Sequence, residues 1–264
     1  MKKFTLILLV FLLFPLMALA QADFTSDSLI INGKKLLQQG LNNWTESDLL
    51  NSRAYFERML ANSNPQEVWL IHYYIAFSDW RLGTFYMSKQ NKKKALQFVN
   101  EGIEHAKQCI EKKDDFADAH SLLGSLYGNK IGLKPILGMT LGPKSGIQMG
   151  KAMSLDEANP RNYLIAGQSA FFTPKIFGGG KDKAKDYFEK AIVRFDSFKV
   201  SRPELPDWGH EEAYAWLGLV HADQNDFSEA EKNYQKALEM NPGYNWVIKI
   251  LLPDVKKRMA EKNK

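Results

Sequence analysis

The chain contains almost no cysteine. Among its 264 residues the one cysteine is Cys109, so no disulfide can form within the chain. Stability must therefore come from burial of apolar side chains rather than from crosslinks. Cys109 lies in HAKQCIE, a setting where alanine would also suit a packed helix face, and we expect a small buried residue rather than a reactive thiol.

The chain also lacks the common motifs of catalysis and metal binding. None of its five histidines forms H-E-x-x-H or another metal-ligand spacing, and no G-x-S-x-G occurs. GPKSG lacks the spacing of a phosphate-binding loop. His210, in WGHEE, suits a helix start. We therefore predict no enzymatic activity, no metal and no cofactor; a pocket with a coupled histidine and carboxylate would favour an enzyme instead.

A strong excess of charge of one sign is absent as well. Lysine and arginine number 35 against 30 acidic residues, and the net charge is +5. Acidic residues are interspersed among the lysines, which is typical of solvated helix surfaces. This balance gives no reason to predict binding to nucleic acid.

Long apolar runs are confined to the N-terminus. Residues 1–20, MKKFTLILLVFLLFPLMALA, have two lysines, an apolar stretch and a small-residue ending, which is the layout of a secretory signal peptide cleaved after Ala20. An N-terminal membrane anchor is the alternative, but the apolar stretch is shorter than the ~20 residues of a spanning helix. We expect an exported mature chain, periplasmic or secreted, without a membrane span.

The clearest internal pattern covers residues 211–244, EEAYAWLGLVHADQNDFSEAEKNYQKALEMNPGY. Small residues at Gly218, Ala230 and Ala237 allow two helices to approach closely, and large side chains such as Tyr214 and Tyr234 fill the gaps between them. Asn-Asp forms the turn and Asn-Pro ends the second helix. The segment resembles the tetratricopeptide repeat, a helix–turn–helix unit of about 34 residues.

The same pattern returns upstream with interruptions, giving five helix pairs over residues 27–264. The resemblance implies an all-α solenoid of antiparallel helix pairs. The C-terminal YNWVIKILLPDVKKRMAEK then predicts a capping helix, with Trp246, Ile248, Leu251 and Leu252 covering the last repeat and Pro253 kinking the helix.

In tetratricopeptide-repeat proteins the first helix of each unit lines a binding groove, and the resemblance places nine residues there. The alternative for the first four is a core role, because WLIHYYIAFSDW is apolar nearly all round. The family's lysine and asparagine clamp for a C-terminal carboxylate is absent. The candidate groove residues are Tyr73, Phe77, Trp80, Arg81, Ser121, Ser125, Asn129, Arg161 and Gln168.

Two glycine-rich apolar insertions, GLKPILGMTLGPKSG at 132–146 and FFTPKIFGGGK at 171–181, separate the two helices of their units. Equivalent turns of a solenoid stack along one edge, so we expect the insertions to be neighbours. Structural packing is one interpretation, which would bury Ile136, Leu137, Met139, Leu141, Ile176 and Phe177. Binding is the other. The glycines of GGGK precede a helix, and they have two interpretations: they only allow the helix to start, or their free backbone N–H groups also bind an anion. The candidate binding residues are Ile136, Met139, Phe177 and Lys181.

A third irregular segment, SFKVSRPELPDWGHEE at 197–212, lies between units. Its prolines predict a stiff, extended connection, and Trp208 is expected to anchor it by packing.

The first functional hypothesis is a non-enzymatic exported scaffold that binds a protein or peptide in the groove. The alternative is a small-molecule or solute-binding module of a periplasmic transport system, for which a closed cavity beneath the insertions would be required. The sequence leaves the partner and the oligomeric state open.

Overall fold

The computed structural model describes residues 26–62 and 67–262, so the predicted signal peptide lies outside the described residues. These residues are mainly helical and contain no strand, which confirms the all-α solenoid. The helices are α1 Ser26–Asn43, α2 Glu46–Asn62, α3 Val68–Ser88, α4 Lys92–Lys112, α5 Ala117–Leu133, α6 Gly138–Leu155, α7 Pro160–Phe172, α8 Lys181–Ser197, α9 His210–Asp223, α10 Phe227–Met240 and α11 Leu252–Lys262.

Consecutive helices pack as pairs, from α1 with α2 to α9 with α10. Small residues make the close crossings. A Cβ atom added at Gly167 would lie 2.5 Å from the Phe188 ring, and one at Gly218 would lie 2.5 Å from the Tyr234 ring. Any larger residue at these two positions would push the paired helices apart. The small residues of the repeat pattern therefore set the distance between paired helices.

Helix α3 forms the centre of the fold and is buried on nearly every side. Every residue from Leu70 to Gly83 is buried. Helices α2, α4 and α5 surround it, which explains why its sequence has no polar face. The core interpretation of WLIHYYIAFSDW is thereby confirmed.

The 198–209 connection crosses the inner side of the solenoid, the side that would form a groove. The Trp208 indole packs 4.6 Å from the Phe77 ring, between centroids, and its Nε1 donates to the Tyr73 hydroxyl at 3.0 Å. Tyr74 donates its hydroxyl hydrogen to the carbonyl of Glu204. Trp208 is thus the packing anchor that its sequence context predicts.

Helix α1 is tied to the same connection. The Lys34 ammonium donates to the carbonyls of Pro203 and Leu205 and lies 3.0 Å from a carboxylate oxygen of Asp207. Near the end of α1, the Asn42 side chain accepts a hydrogen bond from Asn241, at the end of α10. The first and last repeats are therefore joined across the inner side.

The C-terminal cap begins as a π-helix, Val247–Leu251, that continues into α11. Pro253 lies inside the continuous helical segment 245–262, directly after the π turn, so the irregularity expected at this proline takes the form of a π turn and not of a break. Val247, Leu251, Leu252 and Val255 are buried against the last repeat, as expected for a cap. Ile248, which was also expected to cover the last repeat, is instead 41 % exposed.

Within residues 26–62 and 67–262, no helix combines the length and apolar character needed to cross a bilayer.

Candidate interaction surface

The predicted groove residues at the N-terminal end lie in the interior. Tyr73, Phe77, Trp80 and Arg81 are all buried. The Arg81 guanidinium carbon lies 4.2 Å from the Trp80 ring centroid and 5.2 Å from that of Trp208. The chain's own connection therefore occupies the space where a peptide would lie, and binding there would require its displacement.

Two buried ion pairs close the inner side further. Arg81 Nη2 lies 2.6 Å from Glu212 Oε1, and Arg161 Nε lies 2.5 Å from Asp118 Oδ1. Burial raises the pKa of Glu212, and the nearby Arg81 opposes that rise. These four buried charges partner each other instead of facing a ligand.

The middle of the predicted groove is also engaged in local contacts. Ser121 is buried and donates to the Asp118 carbonyl, and Gln168 is buried. Ser125 is half-buried. Asn129 donates weakly to Thr84 at 3.4 Å. Binding by these side chains stays a prediction.

The first insertion is mostly helical. α5 runs on to Leu133, a 3-10 turn covers Pro135–Leu137, and α6 begins at Gly138 with Pro143 inside its first turns. The insertion thus lengthens a helical hairpin instead of folding over the repeat.

The second insertion is a compact turn. After α7 a 3-10 turn covers Lys175–Phe177, and Gly178 and Gly180 adopt positive φ angles of 82° and 115°. The Gly180 N–H donates to the Ala170 carbonyl at 2.8 Å, which closes the turn onto α7. Lys181, a candidate anion ligand, is ion-paired with Asp223 and packs over the Phe171 ring.

Each insertion contacts the turn of a neighbouring repeat. Gly132, near the end of α5, faces the Met87 side chain near the end of α3. Lys181 pairs with Asp223 at the end of α9, and Gln224 bonds Asp182. These contacts join the ends of α3 and α5, and the α7–α8 turn and the end of α9, as in the stacked turns of a solenoid. That the two insertions are neighbours of each other stays a prediction.

Large apolar side chains at these insertions are exposed, contrary to the expectation that the insertions bury them. Ile136 is 86 % and Met139 is 92 % exposed, and Phe177 is 75 % exposed. Leu137 and Leu141 are half-buried. Within the described residues, nothing covers these side chains. We call the exposed set the apolar edge: Ile136, Met139, Ile147, Phe172, Ile176 and Phe177.

The charged residues in and around the first insertion are all basic. Between Asp118 and Asp156 the chain has no acidic residue but has lysines at 130, 134, 144 and 151. Lys134, Lys144 and Lys151 are exposed. Exposed apolar and basic groups thus occur together at this edge.

Glycines recur every four residues in α6, at positions 138, 142, 146 and 150. A Cβ added at Gly142, Gly146 or Gly150 would meet nothing within 4 Å. Each glycine in a helix interior costs about 1 kcal/mol relative to alanine. Gly167 and Gly218 allow close packing within the chain, but these three glycines serve no contact within the described residues.

The opposite edge carries a different set of groups. An open cleft of about 530 Å³ is lined by Glu67, Trp69, Lys113, Phe116, Arg202 and Leu205. Carboxylate oxygens of Asp27, Glu67 and Glu204 lie within 4.8 Å of one another, and Arg202 Nε lies 2.7 Å from Glu204. A second cleft lies along α8. Neither cleft is lined by an insertion residue.

A histidine pair lies between α3 and α4. Nδ1 of His72 and Nδ1 of His105 are 2.9 Å apart, so one ring must donate and the other accept. Burial, followed by His105 and Lys112, lowers the pKa of His72 to about 4. Burial also lowers the pKa of His105. Both rings are therefore neutral near pH 7, and their spacing in the sequence carries no signal of this contact.

The comparisons agree with this architecture. The tetratricopeptide repeat family profile matches residues 211–244. The structure is similar to the HusA haemophore from Porphyromonas gingivalis, with 25 % identity, a TM-score of 0.62, and coverage of 76 % of this chain and 96 % of that chain. It is also similar to TTC0263, a tetratricopeptide-repeat protein from Thermus thermophilus, with 18 % identity, a TM-score of 0.55, and coverage of 87 % and 97 %.

Among curated protein sequences, no match to this chain was found. The chain thus contains a tetratricopeptide repeat at residues 211–244, and its paired-helix fold is that of a tetratricopeptide-repeat solenoid. Proteins of this class are in general interaction scaffolds, built from stacked repeats that present extended binding surfaces.

Proposed function

We propose that this protein is a non-enzymatic, exported scaffold that binds a partner protein through the apolar edge. The proposal rests on the exposure of Ile136, Met139, Ile176 and Phe177, which lie as two pairs on the two insertions. Exposed apolar side chains that cluster together mark interaction sites more often than those that are scattered singly. The proposed binding surface is thus the edge of the solenoid instead of the groove, whose inner side is filled by Trp208.

Export is supported by the signal-peptide pattern of residues 1–20, and the proposed compartment is the periplasm or the medium. N-terminal sequencing of the protein recovered from its host tests this part. A mature chain beginning at Gln21 agrees with the proposal, and retention of Met1 in the recovered protein contradicts it.

Partner binding is tested by affinity purification of mature protein from the exported compartment, followed by native mass spectrometry. The edge variant carries Ile136→Ser, Met139→Ser and Phe177→Ser. A matched control carries Val193→Ser and Ile250→Ser, which replace exposed apolar residues elsewhere. All five side chains are exposed, so we expect both variants to keep the wild-type melting temperature.

A partner that is captured by the wild-type protein and the control, but lost by the edge variant, supports the proposal. Equal capture by the edge variant removes the apolar edge as the binding surface.

A second candidate function is binding of a haem-type small molecule. It is favoured by the similarity to the HusA haemophore, which covers nearly all of that protein. Apolar side chains beside lysines suit a ligand that has an apolar ring and carboxylates. The transport-associated solute module predicted from sequence is a variant of this candidate, although neither described cleft lies beneath the insertions.

Titration with haemin tests this candidate. A saturable shift of the haem absorbance band, weakened in the edge variant and kept in the control, would make the protein a ligand carrier. Absence of saturable binding would leave the protein-partner proposal alone.

A further inference from the structure

We propose that the partner presents an acidic amphipathic helix, which packs on the outer face of α6. This inference rests on the proposed function and names the partner chemistry for the same edge. The outer face of α6 consists of Met139, Gly142, Gly146, Ile147 and Gly150, which fall on one side of a helix with 3.6 residues per turn.

Glycine spacing is the first argument. A row of glycines at every fourth position lets a second helix approach until the backbones nearly touch. The described helices of the chain do not use this row, because a Cβ at Gly142, Gly146 or Gly150 would project into open space. Met139 and Ile147 stand beside the row as exposed apolar contacts, being 92 % and 67 % exposed. The outer face therefore has the shape of half of a close helix–helix contact.

Charge is the second argument. Lys144 and Lys151 are seven residues apart, so they project from the same flank of α6, beside the outer face. No acidic residue lies between Asp118 and Asp156 to neutralise them. An acidic helix would place carboxylates opposite these ammonium groups. A second copy of this chain would instead bring lysine against lysine if the outer faces packed symmetrically, which disfavours self-association here.

The test is a selection of displayed helical peptides against immobilised mature protein. Enriched peptides are then measured against the triple variant Gly142→Ala, Gly146→Ala and Gly150→Ala. Alanine favours the helix, so we expect the melting temperature of this variant to rise by roughly 5 °C. The added methyl groups hold the partner helix away, so we expect its affinity to fall by about tenfold or more. A variant that melts higher than the wild-type protein has not lost binding through misfolding.

A second variant pair tests the charge argument. We expect Lys144→Gln with Lys151→Gln to weaken the enriched peptides and to reduce the salt dependence of their binding. Lys190→Gln with Lys257→Gln removes two exposed lysines elsewhere and should leave both properties unchanged.

The outcomes separate the two levels of the proposal. Enriched acidic peptides that lose affinity in the glycine and Lys144/Lys151 variants support the inference. Basic or neutral peptides, or peptides unaffected by the glycine variant, overturn it. If those peptides still require Ile136, Met139 and Phe177, the proposed function stands without the helix. If no enriched peptide requires the edge, the helix inference fails, and capture of the natural partner by the edge variant decides the proposed function separately.

A lipid surface is the alternative occupant. Flotation of the protein with phosphatidylglycerol vesicles, lost in the edge variant and matched by no acidic peptide, would also overturn the inference.

Discussion

Removal of the Trp208 indole is the sharpest test of the filled inner side. Trp208 is 7 % exposed and contacts Phe77, Trp80 and the Tyr73 hydroxyl. Truncating a buried tryptophan to alanine costs about 3–5 kcal/mol, because apolar contacts are lost and a cavity remains. For a chain of this size each kcal/mol lowers the melting temperature by roughly 2–4 °C. We therefore expect Trp208→Ala to lower the melting temperature by roughly 6–20 °C.

The assay is urea and thermal unfolding of mature protein, followed by far-ultraviolet circular dichroism because tryptophan fluorescence changes with the substitution. Trp208→Phe is the matched control. It keeps an aromatic ring near Phe77 but removes the hydrogen bond to Tyr73, and we expect it to lose about 1 kcal/mol beyond its smaller packing loss.

A Trp208→Ala protein within about 1 kcal/mol of wild type would refute the reasoning. The 198–209 connection would then lie loosely on the inner side, and the groove formed by Tyr73, Phe77 and Trp80 would again be open to a peptide. The same buried packing predicts that Trp80→Ala acts on stability, contrary to its groove role in the sequence analysis.

Buried polar and titratable groups give three further predictions. The pKa of His72 is lowered to about 4, so unfolding takes up a proton between pH 6.5 and 4, and up to about 3 kcal/mol of stability is lost as the pH falls through that window. His72→Gln should therefore flatten this part of the profile of unfolding free energy against pH. An unchanged slope would contradict the prediction. Arg81→Met should lower the free energy of unfolding by about 3–5 kcal/mol, because it leaves Glu212 buried without its partner. In urea titrations, adding Glu212→Leu should restore much of that loss. No recovery would show that the pair matters through packing. Cys109 is fully buried, which raises the pKa of its thiol. Iodoacetamide should therefore label it only after unfolding. Rapid labelling of the native protein would contradict its buried position.

Local pattern accounts for much of what could be predicted. The spacing of Gly218, Ala230 and Tyr234 indicated a helix pair because interhelical distance is set by side chains that recur on one face. The apolar character of α3 indicated burial for the same reason. The anchoring role of Trp208 followed from a large aromatic residue in a proline-rich connection.

The apolar edge shows where local pattern is insufficient. Apolar residues within glycine-rich segments suggest burial, because apolar surface is normally removed from water. Whether another part of the chain packs on these residues depends on how the repeats stack in three dimensions. Composition carries no such information, so Ile136 and Met139 were assigned to packing as well as to binding, and the structure leaves them exposed.

The helix pairs, their order and their small-residue crossings can be deduced from the sequence, because they depend on residues that are near one another in the chain. Closure of the inner side cannot be deduced in this way. The contacts of Lys34 with Pro203 and of Trp208 with Tyr73 join segments more than a hundred residues apart in the chain. The curvature of the superhelix brings these segments together. That curvature is the sum of small rotations between successive repeats, and no single motif encodes it.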